Sequence, residues 1–122
     1  MQQIVFDSSF LMAVVERPTT WYEDMVERMG KFQPVLLECV REELEKLAAG
    51  EGKKSRSARV ALEMASGFAG GPCGGASVDD ELISHALTSG GVVATVDGAL
   101  LRSLRAAHAK GVTLRRGRIA LV

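Results

Sequence analysis

Four acidic positions and one acidic neighbour fall where carboxylate chemistry is feasible. Asp7 directly follows the apolar run Ile4-Val5-Phe6, and Asp97 directly follows the run Val92 to Val96. Runs of this kind read as buried strands, and open parallel sheets bind ligands just beyond the carboxyl ends of their strands. Glu43 lies on a helix whose inward stripe is Val40, Leu44 and Leu47, about 60° from the centre of that stripe. Glu42 and Glu45 of the same helix point to solvent. Asp79 falls almost at the centre of the stripe Leu82, Ile83, Ala86 and Leu87, and its neighbour Asp80 roughly 90° away. Each acid alone has a plainer reading: a loop carboxylate or helix cap for Asp7 and Asp97, an N-cap for Asp79. An acid turned toward a core, like Glu43, requires a partner or a cation.

Asp7, Glu43, Asp79 and Asp97 come from two strand ends and two helix faces, and can meet in one cleft. Two carboxylates about 5 Å apart repel by roughly 3 kcal/mol at an effective dielectric near 20. Four such groups therefore do not all stay ionised without a counter-charge. No Lys or Arg sits close in sequence to Asp7 or Asp79. A hard divalent cation supplies that charge, and Mg²⁺ characteristically takes a few carboxylates while keeping waters and substrate phosphate. An acid-only site without a placed histidine points to metal-assisted phosphodiester hydrolysis.

The elements that must position these acids alternate between short strands and longer helices. Strands are expected at Ile4–Phe6, Pro34–Leu37, Gly91–Val96, Val112–Leu114 and Arg118–Val122, with a very short one at Ala76–Val78. Helices are expected from Phe10 to Glu16, capped by Asp7-Ser8-Ser9, and from Trp21 to about Gly30. Further helices run from Glu38 to Ala49, closed by Gly50, then from beyond the basic segment 51–59 to near Gly67, from Asp79 to Ser89, and from Gly98 to about Lys110. Gly70 to Gly75 reads as a loop by composition. The expected fold is α/β: a single domain over residues 1–122, a three-layer αβα sandwich around a mostly parallel sheet of about five strands.

Composition narrows the function classes. Lys plus Arg and Asp plus Glu each number 15, so bulk positive charge does not bind this chain to nucleic acid. Setting aside the five acids above leaves ten against the 15 bases, a mildly basic remainder. Aromatic residues are only 5 %, too few for a base-stacking platform. No apolar run is long enough to cross a bilayer, and Asp7 interrupts any signal-peptide pattern, so a cytoplasmic protein without membrane association is expected. Cys39 and Cys73 are expected to be spectator thiols in a reducing compartment. His85, placed on the solvent side of its helix, and His108 have no nucleophile pattern around them. The glycine loop lacks the Gly-Lys-Ser/Thr ending of a phosphate loop. Ser9 stands where an aspartate-nucleophile phosphotransferase needs a second Asp. The bases form two clusters: Lys53, Lys54, Arg56 and Arg59, then Arg102, Arg105, Lys110, Arg115, Arg116 and Arg118. They are either solvated faces or contacts to phosphates flanking a cut. Trp21, Tyr22, Met25 and Met29 read as core packing.

Four segments in order carry a family likeness: Phe6-Asp7-Ser8-Ser9-Phe10-Leu11, Cys39 to Leu47, Val78-Asp79-Asp80-Glu81-Leu82-Ile83, and Val93-Ala94-Thr95-Val96-Asp97. From Ile4 to the C-terminus the chain resembles a PIN-domain nuclease. Glu43-Leu44-Glu45-Lys46-Leu47, the basic stretch after it and Ala94-Thr95-Val96-Asp97 look most like the branch that processes ribosomal RNA; the VapC toxins share the four acids. The resemblance implies an endoribonuclease dependent on Mg²⁺ or Mn²⁺, with one or two ions held by Asp7, Glu43, Asp79 and Asp97. It implies Asp80 as an auxiliary ligand, and Ser9 and Thr95 as supporting hydroxyls. The substrate implied is structured rRNA or tRNA. Possible associations are a homodimer through the Trp21–Met29 helix, an antitoxin or a ribosome-assembly partner. A non-catalytic RNA-binding assembly factor on the same scaffold is the rival from another class. Two departures stand out: a glycine loop in place of a clear third strand, and zero net charge.

Overall fold

The computed structural model describes all residues, Met1–Val122. The run Ile4-Val5-Phe6 is at most 1 % exposed and lies in β1 (Gln2–Phe6), inside a six-stranded sheet ordered β3-β2-β1-β4-β5-β6. The others are β2 (Phe32–Leu37), β3 (Ala69–Gly71), β4 (Val92–Ala94), β5 (Lys110–Arg115) and β6 (Arg118–Leu121). All pairs are parallel except the β5–β6 hairpin. The helices are α1 (Ser8–Glu16), α2 (Trp21–Met29), α3 (Glu38–Ala48), α4 (Lys53–Met64), α5 (Val78–Ser89) and α6 (Gly98–Ala106). Right-handed crossovers place α1 to α4 on one face of the sheet and α5 and α6 on the other. Accordingly α1, α3 and α4 pack on one another, α5 on β1 and β4, and α6 on β5. Both faces are thus covered, and 27 buried apolar residues form one core. No helix is long and apolar enough to cross a membrane.

The expected α/β architecture is present, with one more strand than the expected five. That strand is β3, placed in the glycine stretch expected to be a loop, whereas Ala76 and Ser77 are loop and Val78 opens α5. Glycine is depleted in strands, which hides β3 from pattern. Here it is needed: a Cβ on Gly71 would stand 2.8 Å from Leu37 Cδ2, where the edge strand closes on β2. The segment 51–59 does not lead into a helix; α4 already begins at Lys53, so its bases lie in the helix's first turns. The α1 helix begins at Ser8, earlier than expected, and the Asp7 side chain does not cap it. β4 stops at Ala94 and α6 at Ala106, both shorter than their apolar patterns. Leu47 and Leu87, assigned to inward stripes, are 39 % and 53 % exposed. His85 is half-buried rather than solvent-facing, with Nε2 2.8 Å from Gln3 Oε1.

The cysteines correct the expectation of spectator thiols. Cys39, in the first turn of α3, and Cys73, just after β3, form a disulfide with Cα atoms 6.0 Å apart. It ties the start of α3 to the loop that leads into α5. In α2, Trp21 and Met25 are buried as expected, while Tyr22 is exposed.

One buried acid is purely structural. Asp24, 6 % exposed, accepts both Arg118 Nε and Nη2 at 3.2 Å and the Ile119 N–H at 2.8 Å, joining α2 to β6. The Arg118 hydrogen bonds, then that of Ile119, hold its carboxyl below the ordinary 3.8. A depressed carboxylate adds stability above its unfolded value and loses it as pH falls through the folded one. Melting curves recorded against pH are therefore expected to fall below about 4 in the wild type. Asp24→Asn should melt lower at neutral pH, by roughly 5 °C, with a flatter acid limb. Identical acid limbs would remove Asp24 from this role.

Candidate active site

The strand order reverses its direction of growth between β1 and β4, the switch point at which open parallel sheets form a crevice. Asp7 follows the last residue of β1 and Asp97 lies just past β4, so both stand at this crevice. The turn after β4 is built around Asp7. Ser9 Oγ donates to Asp7 Oδ2 at 2.6 Å and Thr95 Oγ1 to the same oxygen at 2.7 Å. The two hydroxyl oxygens lie 3.0 Å apart and accept the backbone N–H groups of Val96 and Asp97 at 3.1 and 3.0 Å. One carboxylate oxygen thus organises the ends of two neighbouring strands. No fully buried side-chain oxygen lacks a partner, and Asp7 Oδ1 accepts no hydrogen bond, so Oδ1 keeps contact with solvent at this strand end.

Asp97 combines its two readings. Oδ1 caps α6, accepting the N–H groups of Ala99 at 2.8 Å and Leu100 at 3.4 Å. Oδ2 is left without a protein partner on an exposed residue. Asp79 is not the cap of α5: Ser77 fills that place, accepting the N–H of Asp80 at 3.2 Å. Asp79 is half-buried and Asp80 exposed, as the periodicity requires. Glu43 is half-buried on α3 and accepts the Ser8 hydroxyl at 3.2 Å. Sequence pattern missed this part for Ser8, because the pair is 35 residues apart and only the packing of α1 on α3 joins it.

Glu43 and Asp79 both feel the charge of Asp7, and Asp79 also that of Asp97. Burial raises the Glu43 carboxyl above its ordinary 4.5; the Ser8 bond opposes this, while the charges of Asp7 and Asp79 add to it. Burial also raises the Asp79 carboxyl above 3.8, reinforced by the charges of Asp7, Asp97 and Asp80. Neither Glu43 nor Asp79 forms an ion pair. No three carboxylates converge closely enough here to form a ready cation site. The donor set is nevertheless all oxygen, negatively charged and mutually repelling, which suits a hard divalent cation. With a folded pKa above the unfolded one, Asp79 costs stability once pH exceeds both values. Metal-free Asp79→Asn is thus expected to melt a few degrees above the wild type at neutral pH. An unchanged or lower midpoint in chelator would show that Asp79 is not under this repulsion.

The basic candidates divide. Lys53, Lys54 and Arg56 are exposed on the first turns of α4. Arg59 is committed elsewhere, donating to the Ala48 and Gly50 carbonyls at 3.1 Å each and closing the end of α3. Arg102 and Arg105 are exposed on α6, with Arg102 Nη1 reaching back toward Gly98. Arg118 is held by Asp24. A groove of about 350 Å³ borders the acids, lined by residues of α1 together with Leu47, Lys54 and Val96. A smaller hollow of about 270 Å³, bounded by Gln2, Val92 and Lys110, opens at the opposite, amino ends of the strands and contains no acid.

Known proteins share this architecture. The chain superposes on the PIN domain endonuclease Utp24 with a TM-score of 0.80 and 24 % identity, covering 98 % of this chain and 90 % of that one. A domain of a functionally unknown protein from Methanocaldococcus jannaschii gives a TM-score of 0.62 and 15 % identity, covering 94 % and 92 %. PAE2754 from Pyrobaculum aerophilum gives 0.55 and 20 %, covering 83 % and 78 %. No curated protein matches the sequence. Residues 4–118 match the PIN-like domain, a span that runs from within β1 through β5 and holds every acid of the crevice, and the chain belongs to that family.

Proposed function

We propose that this protein is a divalent-metal-dependent endoribonuclease, with Asp7, Glu43, Asp79 and Asp97 as its metal-holding residues and Asp80 as an auxiliary. The observation that carries the reading is the Asp7 carboxylate. One oxygen is fixed by two hydroxyls and the other is left open at the switch point, with three further acids around it. The likeness to a PIN domain endonuclease supports it. A bound Mg²⁺ or Mn²⁺ would lower the pKa of a water ligand and stabilise negative charge on the scissile phosphate.

The chain's own residues do the positioning. Ser9 and Thr95 immobilise Asp7 so that Oδ1 keeps its aim, and Ser8 does the same for Glu43. Asp97 is oriented by its cap bonds to Oδ1, which leave Oδ2 without a protein partner. Burial, reinforced by neighbouring carboxylates, raises the Glu43 and Asp79 carboxyls. The resemblance of the segments Glu43 to Leu47 and Ala94 to Asp97 to the branch that processes ribosomal RNA supports that role over a toxin. The rival, a non-catalytic RNA-binding assembly factor, draws support from the absence of a ready three-acid cation site.

Thermal melting with Mn²⁺ separates the two. At about 100 times its Kd, a ligand of the native state adds about 2.7 kcal/mol, or several degrees. The nuclease reading expects this rise in millimolar Mn²⁺ and its reversal by chelator. An unchanged midpoint favours the non-catalytic factor.

A further inference from the structure

The groove meets the acids through Ser8 and Ser9. Ser8, Ser9, Met12, Ala13 and Glu16 recur along one face of α1, so this face forms its length. At one end, Ser8 and Ser9 are the residues whose hydroxyls bond Glu43 and Asp7. Leu47 from α3 and Val96 after β4 face the groove while 39 % and 37 % exposed. Both are apolar positions that the core does not use. Lys54, in the first turn of α4, is the one cation lining the groove and forms no ion pair; Glu16 is its only carboxylate.

The geometry points to this groove as the subsite for an unpaired nucleoside next to the scissile phosphate, its base against Leu47 and Val96 and the adjoining phosphate on Lys54. The inference rests on the nuclease reading and adds where the substrate strand runs. A nucleotide joins an apolar planar base to an anionic phosphate, and the groove offers an apolar stretch and one ammonium free of any ion pair, ending at the two serines that bond Glu43 and Asp7. Its volume of about 350 Å³ suits a single small ligand. A base within a duplex would have to unstack to enter, so an unpaired strand is the form accepted.

The test uses fluorescence anisotropy in chelator, where nothing is cleaved, with labelled oligouridylate of about 12 nucleotides and an abasic ribose-phosphate chain of equal length. Lys54→Ala is expected to weaken oligouridylate binding about fivefold and lower the salt slope by about one, with Lys54→Arg restoring both. Glu16→Gln should tighten binding about twofold by removing a like charge from the phosphate path. Leu47→Ser should lose most of the preference for oligouridylate over the abasic chain. All three positions are exposed, and circular dichroism checks the fold. The inference is overturned if Lys54→Ala and Leu47→Ser bind both chains as the wild type does. It is equally overturned if a duplex of the same length binds as well as the single strand. Manganese-dependent melting does not involve these residues, so failure here and failure of the nuclease reading are told apart.

Discussion

Asp7→Asn is expected to reduce metal-dependent RNA cleavage by at least about 100-fold, because losing several kcal/mol of charge stabilisation costs two or more orders of magnitude in rate. The substitution is close to isosteric. The amide oxygen can still accept from Ser9 and Thr95, so the strand ends stay joined. What it removes is the charge at Oδ1. Glu43 and Asp79 also lose a repelling neighbour, and their carboxyls should relax toward ordinary values. The metal-free variant should consequently melt no lower than the wild type, while its gain in Mn²⁺ disappears. Single-turnover cleavage of labelled RNA and paired melts with and without Mn²⁺ read both effects. A variant that cleaves at more than about a third of the wild-type rate shows that Asp7 is not part of the machinery.

The second large effect concerns stability. The Cys39–Cys73 bridge closes a loop with a sequence separation of 34 residues. By the chain-entropy relation, a loop of that length contributes about 3–4 kcal/mol. Cys73→Ser is therefore expected to lower the melting temperature by about 10–20 °C, and reductant should bring the wild type to the same point. Asp7 and Asp97 should be less affected, since β1, β4 and the Asp7 hydroxyl pair lie outside the closed loop. Denaturant unfolding with and without reductant measures the difference. Coincident midpoints would show that the thiols are not bridged in solution.

What could be read from sequence alone divides along the range of the interaction. Asp7 and Asp97 were legible because apolar strands end visibly, and Glu43 and Asp79 because helical periodicity assigns a face to each residue. Those signals are local. The disulfide was not legible, because two cysteines without a spacing motif say nothing about where β3 returns beside α3. Nor was β3 itself, whose glycines serve close approach to Leu37 rather than strand propensity. Leu47 and Leu87 fit their helical stripes, yet each lies beyond the area its neighbours cover. Asp24 carried a weak sign, standing on the same face of α2 as buried Trp21 and Met25, but its partner on β6 is 94 residues away. Arg59 and Arg118 counted as surface bases and proved to be bound to backbone carbonyls and to Asp24.

The central claim is that the four carboxylates of the crevice hold one divalent-cation site. Anomalous diffraction from crystals soaked in Mn²⁺ tests it most directly. The account predicts a manganese peak at the switch point between β1 and β4, with Asp7 and at least two of Glu43, Asp79 and Asp97 as ligands at about 2.0–2.3 Å. Manganese bound elsewhere on the surface, with the Asp7 carboxylate still held only by Ser9 and Thr95, would contradict it.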